Sequence, residues 1–191
     1  MNESYCPEPK IGDLEKSSSR ALGFDKLGRP LAPNGEISRY QNNLKLAHEI
    51  HTDTFITWFG DWINDPGNAS VAVYEDTGEP MLFKHRSQTE LEKDSKLSIE
   101  HDKTFGTEYG LLMKATYFTT SDLPEYGPFV HYAFLNLRNP NSEWFLVTSQ
   151  NDGVFLRGED KGKLFYHACV FSDEQVLEIS RQNTSLSGKH R

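Results

Sequence analysis

The sequence predicts an α+β chain in which one or two N-terminal helices precede a set of mainly antiparallel strands. Three observations predict it. Helical apolar spacing is confined to the stretch from Leu44 to Trp62, β-rich runs recur from Val71 to Phe171, and those runs are short and joined by long irregular connections. A length of 191 residues suits one domain with a tail and is too short for two of full size.

Residues 1–43 contain P-E-P, S-S-S, G-R-P and A-P-N-G-E with almost no apolar periodicity, which is the chemistry of a polar, partly irregular leader. From Asn43 to His51, Leu44, Ala47, Ile50 and His51 are spaced for a short helix. Asp53 is expected to cap a second helix carrying Phe55, Trp58, Phe59 and Trp62, an aromatic face that reads as core, and D-P-G-N is expected to stop it. Val71–Tyr74 and Met81–His85 read as a β-hairpin about the E-D-T-G-E turn. The charged stretch 88–108 reads as a long loop or an inserted short helix. Leu111–Thr119 and His131–Leu137 read as strands, and Trp144–Thr148 and Val154–Arg157 as strands flanking an N-D-G turn. Tyr166–Phe171 reads as the final strand, with Ser172–Ile179 closing the fold. The expected divisions are therefore a leader at 1–43, a domain at 44–181 and a tail at 182–191, without internal repeats.

Aromatic residues carry much of the expected core, among them Trp58, Phe59, Trp62, Phe118, Tyr132, Phe134, Trp144, Phe145 and Phe171. A formal charge of -8 opposes non-specific nucleic-acid binding, because a phosphate backbone attracts a basic face. An anionic small ligand needs only a local donor cluster, which Lys84, Arg86 and Lys114 could supply. Cys6 and Cys169 are too few for a disulfide framework, and Cys169 sits in an apolar run, so a buried free thiol in a reducing compartment is expected. No apolar run reaches transmembrane length and the N-terminus lacks a secretory pattern, so the chain reads as soluble and cytoplasmic. The N-x-[ST] matches at Asn68 and Asn183 then carry no weight.

Read by residues alone, His85 is a strand-end histidine, Tyr117 a tyrosine in an apolar strand, His167 a histidine at a strand start and Asp152 a turn residue. Each has an ordinary structural explanation. The phosphate-loop, nucleophile-elbow and H-E-x-x-H patterns are missing, and no Cys/His pairs have zinc spacing, so no metal is expected. The residues by themselves reach an acidic α+β domain with room for an anionic ligand.

A succession of motifs carries a more specific expectation. W-F-G-D-W-I-N-D-P-G-N-A-S, E-D-T-G-E-P-M-L-F-K-H-R-S, T-Y-F-T, A-F-L-N-L-R-N-P, N-D-G-V and V-F-S-D-E-Q-V follow one another in that order. The order resembles the ADP-ribosyltransferase domains of large polyvalent proteins of phages and conjugative elements, over roughly residues 30–180. The preceding L-G-R-P-L-A-P-N-G resembles the leader of that group. The resemblance implies two packed, mainly antiparallel sheets forming an NAD cleft, with N-terminal helices, in a protein of a bacterial host cell. The wider superfamily uses a His-Tyr-Glu set, in which histidine bonds the nicotinamide ribose, tyrosine stacks on nicotinamide and glutamate stabilises the oxocarbenium-like ribose. Residue by residue, the histidine falls on His85, the tyrosine on Tyr117 and the glutamate slot on His167, counted back from Gln175. By the same resemblance Arg86 supplies backbone groups to the nicotinamide amide, Ser87 contacts the adenosine ribose and Tyr126 joins the cofactor-binding set.

Two positions depart from the pattern: Arg86 stands for glycine, and His167 for glutamate. Losing one preorganised electrostatic group costs about 2.7–4 kcal/mol, roughly 10²–10³ in rate, which slows a reaction without forbidding it. The resemblance thus implies a mono-ADP-ribosyltransferase that uses NAD and a protein or other macromolecular acceptor, with Asp152, Asp173 or Glu174 as candidates for the missing charge. The alternatives are a degenerate module that binds NAD, ADP-ribose or a protein, and RNA cleavage by a His-Tyr-His constellation.

Overall fold

The computed structural model describes residues 23–91, 97, 103–106, 112–144 and 147–183. The chain divides into two compact units, Met1–Pro80 and Met81–Arg191. Cys6 and Phe145 lie outside the described residues.

In the first unit the described part of the leader is ordered by local bonds. Strands β1 (Gly23–Phe24) and β2 (Pro30–Leu31) pair antiparallel. The Asp25 carboxylate accepts the amides of Leu27 and Arg29 at 2.8 and 2.9 Å and so closes the turn between them. Helix α1 (Leu44–Glu49) is capped by the Asn43 side chain. Helix α2 (Asp53–Phe59) is capped by Thr52, whose hydroxyl accepts from Phe55 N, rather than by Asp53. Asp53 sits instead in the first turn, where a carboxylate meets the positive end of the helix. Gly60, at φ 97, ends the helix before D-P-G-N is reached. Phe55, Phe59 and Trp62 are buried as expected, Phe55 and Phe59 stacking at 5.1 Å, and the Trp62 indole donates to Ile50 O at 3.0 Å.

The expected 71–85 hairpin is reduced to one bridge, Val73↔Pro80, closed by Tyr74 N→Glu79 O and Gly78 N→Tyr74 O. The reason is the fully buried Glu79 side chain. It accepts from the Ser38 hydroxyl at 2.5 Å and from Arg39 N at 2.8 Å, which ties the 38–40 segment to this turn. Tyr40 adds a bond from its hydroxyl to Pro80 O at 2.5 Å.

The second unit is one seven-stranded antiparallel sheet. Its strands are β3 (Phe83–Ser87), β4 (Lys103–Gly106), β5 (Leu112–Thr119), β6 (Phe129–Leu135), β7 (Gly153–Asp160), β8 (Lys163–Val170) and β9 (Val176–Asn183). They run in the order β7-β8-β5-β3-β6-β9, with β4 on β5. With the two-stranded β1-β2 sheet, the architecture is α+β with two antiparallel sheets and few helices.

Four strand expectations are corrected. Residues 103–106 form β4 inside the stretch read as loop or helix. The tight turn lies at Lys161-Gly162, with φ of 50 and 78, between Asp160 and Lys163, and not at N-D-G. Asp152 is diverted to the amides of Arg138 and Asn139, at 2.5 and 3.0 Å, and the hairpin partner of β7 is β8; residues 145 and 146 of the expected 144–148 strand lie outside the described residues. Tyr166–Phe171 is not the last strand: after a short 3-10 turn at Asp173–Gln175, β9 returns along β6 and runs into the expected tail.

The sheet has a weak joint. β3 and β5 share one register pair, Lys84↔Thr119, whereas β3 and β6 share five. The ladder therefore falls into two groups, β3-β6-β9 and β4-β5-β8-β7, meeting at a seam. Phe83, Phe118, Phe134, Leu135, Ala168 and Val170 are buried, while Tyr132, Trp144 and Phe171 are only partly so.

Candidate functional site at the seam

The seam is where the three sequence-selected strands meet, because β5 lies between β3 and β8. Tyr117 pairs with Cys169 and Thr119 with His167, so side-chain alternation puts Tyr117 and His167 on one face. Their rings stack at 5.5 Å and 28°, and the Tyr117 hydroxyl is hydrogen-bonded to His167 Nδ1. Burial pushes the Tyr117 hydroxyl up to about 12 and holds His167 below its ordinary value. Both shifts favour the neutral forms of the two groups. With the Tyr117 hydroxyl as donor to the Nδ1 lone pair, the proton of His167 sits on Nε2.

An aromatic group surrounds this pair. Trp144 stacks on Tyr117 at 6.1 Å, Tyr126 lies 6.5 Å from it, and Phe165 meets the His167 ring edge-on at 4.9 Å. Beneath it is a small apolar cluster of Ala115, Val147, Val154 and the free thiol of Cys169, against which Tyr117, Trp144 and Leu156 pack. The site is thus a group of aromatic rings on the β5–β8 ladder, with Trp144, Tyr117 and His167 stacked.

His85 joins the site through the main chain. It is buried, and its Nδ1 donates to Tyr117 O at 2.8 Å, which bridges β3 and β5 where the backbone ladder has given out. Because a carbonyl can only accept, the proton sits on Nδ1. The His85 ring packs against Phe118 at 5.6 Å and His131 at 5.9 Å. The structure therefore brings Tyr117 and His167 together by their side chains and His85 to Tyr117 by its carbonyl.

Behind His85 stands a polar cluster that sequence reasoning missed. His131, buried in β6, donates from Nδ1 to Glu178 Oε1 on β9 at 2.9 Å, and Arg181 holds both oxygens of the same carboxylate at 2.6 and 2.9 Å. Burial pushes Glu178 up, but the bonds from Arg181 and His131 outweigh it, so its carboxyl lies below the usual value. His131 Nε2 is 3.5 Å from Ser87 Oγ, a Ser-His-Glu line. The Ser87 hydroxyl gives its proton to Thr89 O at 2.8 Å, so the serine is oriented and not activated as a nucleophile. Glu178 fell in a stretch read only as closing the fold, and Arg181 lay just past it, at the end of the expected domain. Without β9 in the reading, nothing paired them with His131.

The remaining predicted residues are accounted for differently. Arg86 sends Nη1 to Gly127 O at 2.8 Å and Nη2 to Asp122, and Lys84 lies 3.9 Å from the same carboxylate. That carboxylate offsets the cationic cluster expected for an anionic ligand, and the Lys114 side chain lies outside the described residues. Asp152 is spent on the 138–139 amides, and Asp173 and Glu174 lie in the turn beyond the end of β8. Glu178 reaches the site through His131, whose ring lies 5.9 Å from that of His85. Among the described residues no group of three or more His, Cys, Asp or Glu is placed to hold a metal ion, and no helix is long and apolar enough to cross a membrane. Comparison of the chain with protein-family models, with curated proteins and with solved structures returns no match.

Proposed function

We propose that this chain binds NAD at the seam and transfers ADP-ribose, slowly, to a protein acceptor. The observation that carries the reading is the linkage of His85, Tyr117 and His167 across three adjacent strands, through His85 Nδ1–Tyr117 O and Tyr117 hydroxyl–His167 Nδ1. In this reading the tilted pair of Tyr117 and Tyr126 takes the nicotinamide, and His85 sets the position of the strand that carries Tyr117. His167 with its proton on Nε2 offers a donor to a ribose hydroxyl oxygen. It cannot accept that hydroxyl's proton or place negative charge beside the cationic ribose, so the rate forfeits about 10²–10³ relative to a carboxylate. Incubation with labelled NAD and bacterial lysate tests it. Label must appear on protein and must fall with His85→Ala and with Tyr117→Ala; no label, or label indifferent to both changes, refutes the transferase.

A second reading is favoured by the Tyr117–His167 bond itself. Two groups that satisfy each other in neutral form describe a binding site better than a proton-transfer site. In that reading the chain is a module that holds NAD or an ADP-ribosylated ligand. Calorimetric NAD binding without turnover, and without recovery in His167→Glu, distinguishes it.

A further inference from the structure

The connection from β5 to β6, residues 120–128, is strapped to β3 at several points. The Arg86 guanidinium donates to Gly127 O at 2.8 Å and pairs with Asp122, so one side chain on β3 grips the strap near both its ends. Gln88 Nε2 reaches Glu125 O at 3.4 Å. Gly127, at φ 139, lies so close to β3 that a Cβ there would stand 2.0 Å from Ser87 O. The strap carries the short Pro124–Tyr126 turn, and through it Tyr126, 48% exposed, comes to lie 6.5 Å from the Tyr117 ring.

Arg86 is unusual in what it spends to do this. Its side chain is 7% exposed, and its Nε is buried with no partner among the described residues. A buried donor left unsatisfied is a cost, so the position is not explained by local stability alone. What the guanidinium offers and lysine does not is a planar fork that serves two acceptors at once, here a carbonyl and a carboxylate on either side of the turn. A glycine at this position would remove both bonds from the guanidinium to the strap.

We propose that the Arg86 side chain is a positioning residue: it buckles the 120–128 strap to β3 and thereby fixes Tyr126 against Tyr117. Its consequence for ligand affinity rests on the NAD reading; the buckle itself does not.

Hydrogen exchange reads the buckle directly, because the amides of Tyr126 and Gly127 are bonded within the turn, to Leu123 O and Pro124 O. In Arg86→Gly these two amides should exchange roughly tenfold faster while the β6–β9 ladder is unchanged, and Arg86→Lys should fall between Gly and wild type. Asp122→Asn, at an exposed residue that leaves the core untouched, should give the same sign with a smaller change. Unchanged strap exchange in both Arg86→Gly and Asp122→Asn overturns the proposal. NAD affinity reads the consequence. Arg86→Gly and Tyr126→Ala should each raise Kd by roughly tenfold, and the double variant should be no worse than either, since one acts through the other. Losses that multiply would overturn action through Tyr126. If wild-type protein binds no NAD, the functional reading fails, and accelerated strap exchange alone still upholds the buckle.

Discussion

Replacing Tyr117 by phenylalanine removes one oxygen and leaves the ring with its neighbours Trp144, Tyr126 and His167. The lost hydroxyl–Nδ1 bond is half-buried and neutral, so the change should destabilise the second unit by about 1 kcal/mol, the usual net worth of such a bond. For a unit of this size that lowers Tm by about 4 °C, readable by calorimetry. The sharper readout is the titration of His167 by NMR. A donor pointed at the lone pair of Nδ1 favours the neutral ring, so removing it should raise the pKa of His167, while the lowering by burial stays in place. NAD affinity should change little in Tyr117→Phe. In Tyr117→Ala, which deletes the stacking face, it should fall by roughly 10–100-fold, the order expected for about 1–3 kcal/mol of aromatic stacking. A fall in the His167 pKa in Tyr117→Phe would mean that the tyrosine oxygen accepts from an Nδ1–H. That result refutes the tautomer assignment and, with it, the account of what His167 can offer a ribose.

His167→Glu should raise label transfer from NAD by about 10²–10³ if the position is the glutamate slot, measured as initial rate at saturating NAD. Stability should fall with acidity in the window just below pH 6.5. His51 and His167 both bind protons more weakly folded than unfolded through burial, so the unfolded chain takes up more protons there. Urea midpoints across pH 5–7 check this, and His167→Gln should flatten the dependence in part. Glu178→Gln should cost about 1–3 kcal/mol, because it removes the charge that His131 and Arg181 both bond. In wild type, the stabilisation from Glu178 is present above the usual carboxyl value of 4.5 and lost as pH falls through its lowered folded value; the variant should lack that acid-side loss.

Local physics was legible wherever one short segment decided the outcome. The spacing of Leu44, Ala47 and Ile50, the aromatic face of α2 and the buried thiol of Cys169 all followed from pattern and composition. What the sequence hid depends on partners far along the chain. Thr52 outcompeted Asp53 as a cap because its hydroxyl both accepts from Phe55 N and donates to Glu49 O. The N-D-G segment looked like a hairpin turn, yet Asp152 is claimed by amides 13 and 14 residues away. At the site, the positions of His85, Tyr117 and His167 on separate strands were legible. The Tyr117–His167 bond needed the β5–β8 register, and the Glu178 cluster needed a strand that had not been assigned.

The seam also governs how the second unit can assemble. Between β3 and β9 the chain crosses it four times: from β3 to β4, β5 to β6, β6 to β7 and β8 to β9. Neither half of the sheet is a contiguous piece of polypeptide, so neither can be released as a shorter autonomous fragment, and a nick in any of the crossings leaves both halves dependent on the other side. Pairings such as Phe129 with Asn183 close long loops before they are rewarded, which favours slow, concerted folding over strand-by-strand growth. A chain cut before Val176 would lose the outer strand of one half and deny His131 its carboxylate, although every residue of the His85, Tyr117 and His167 set would still be present.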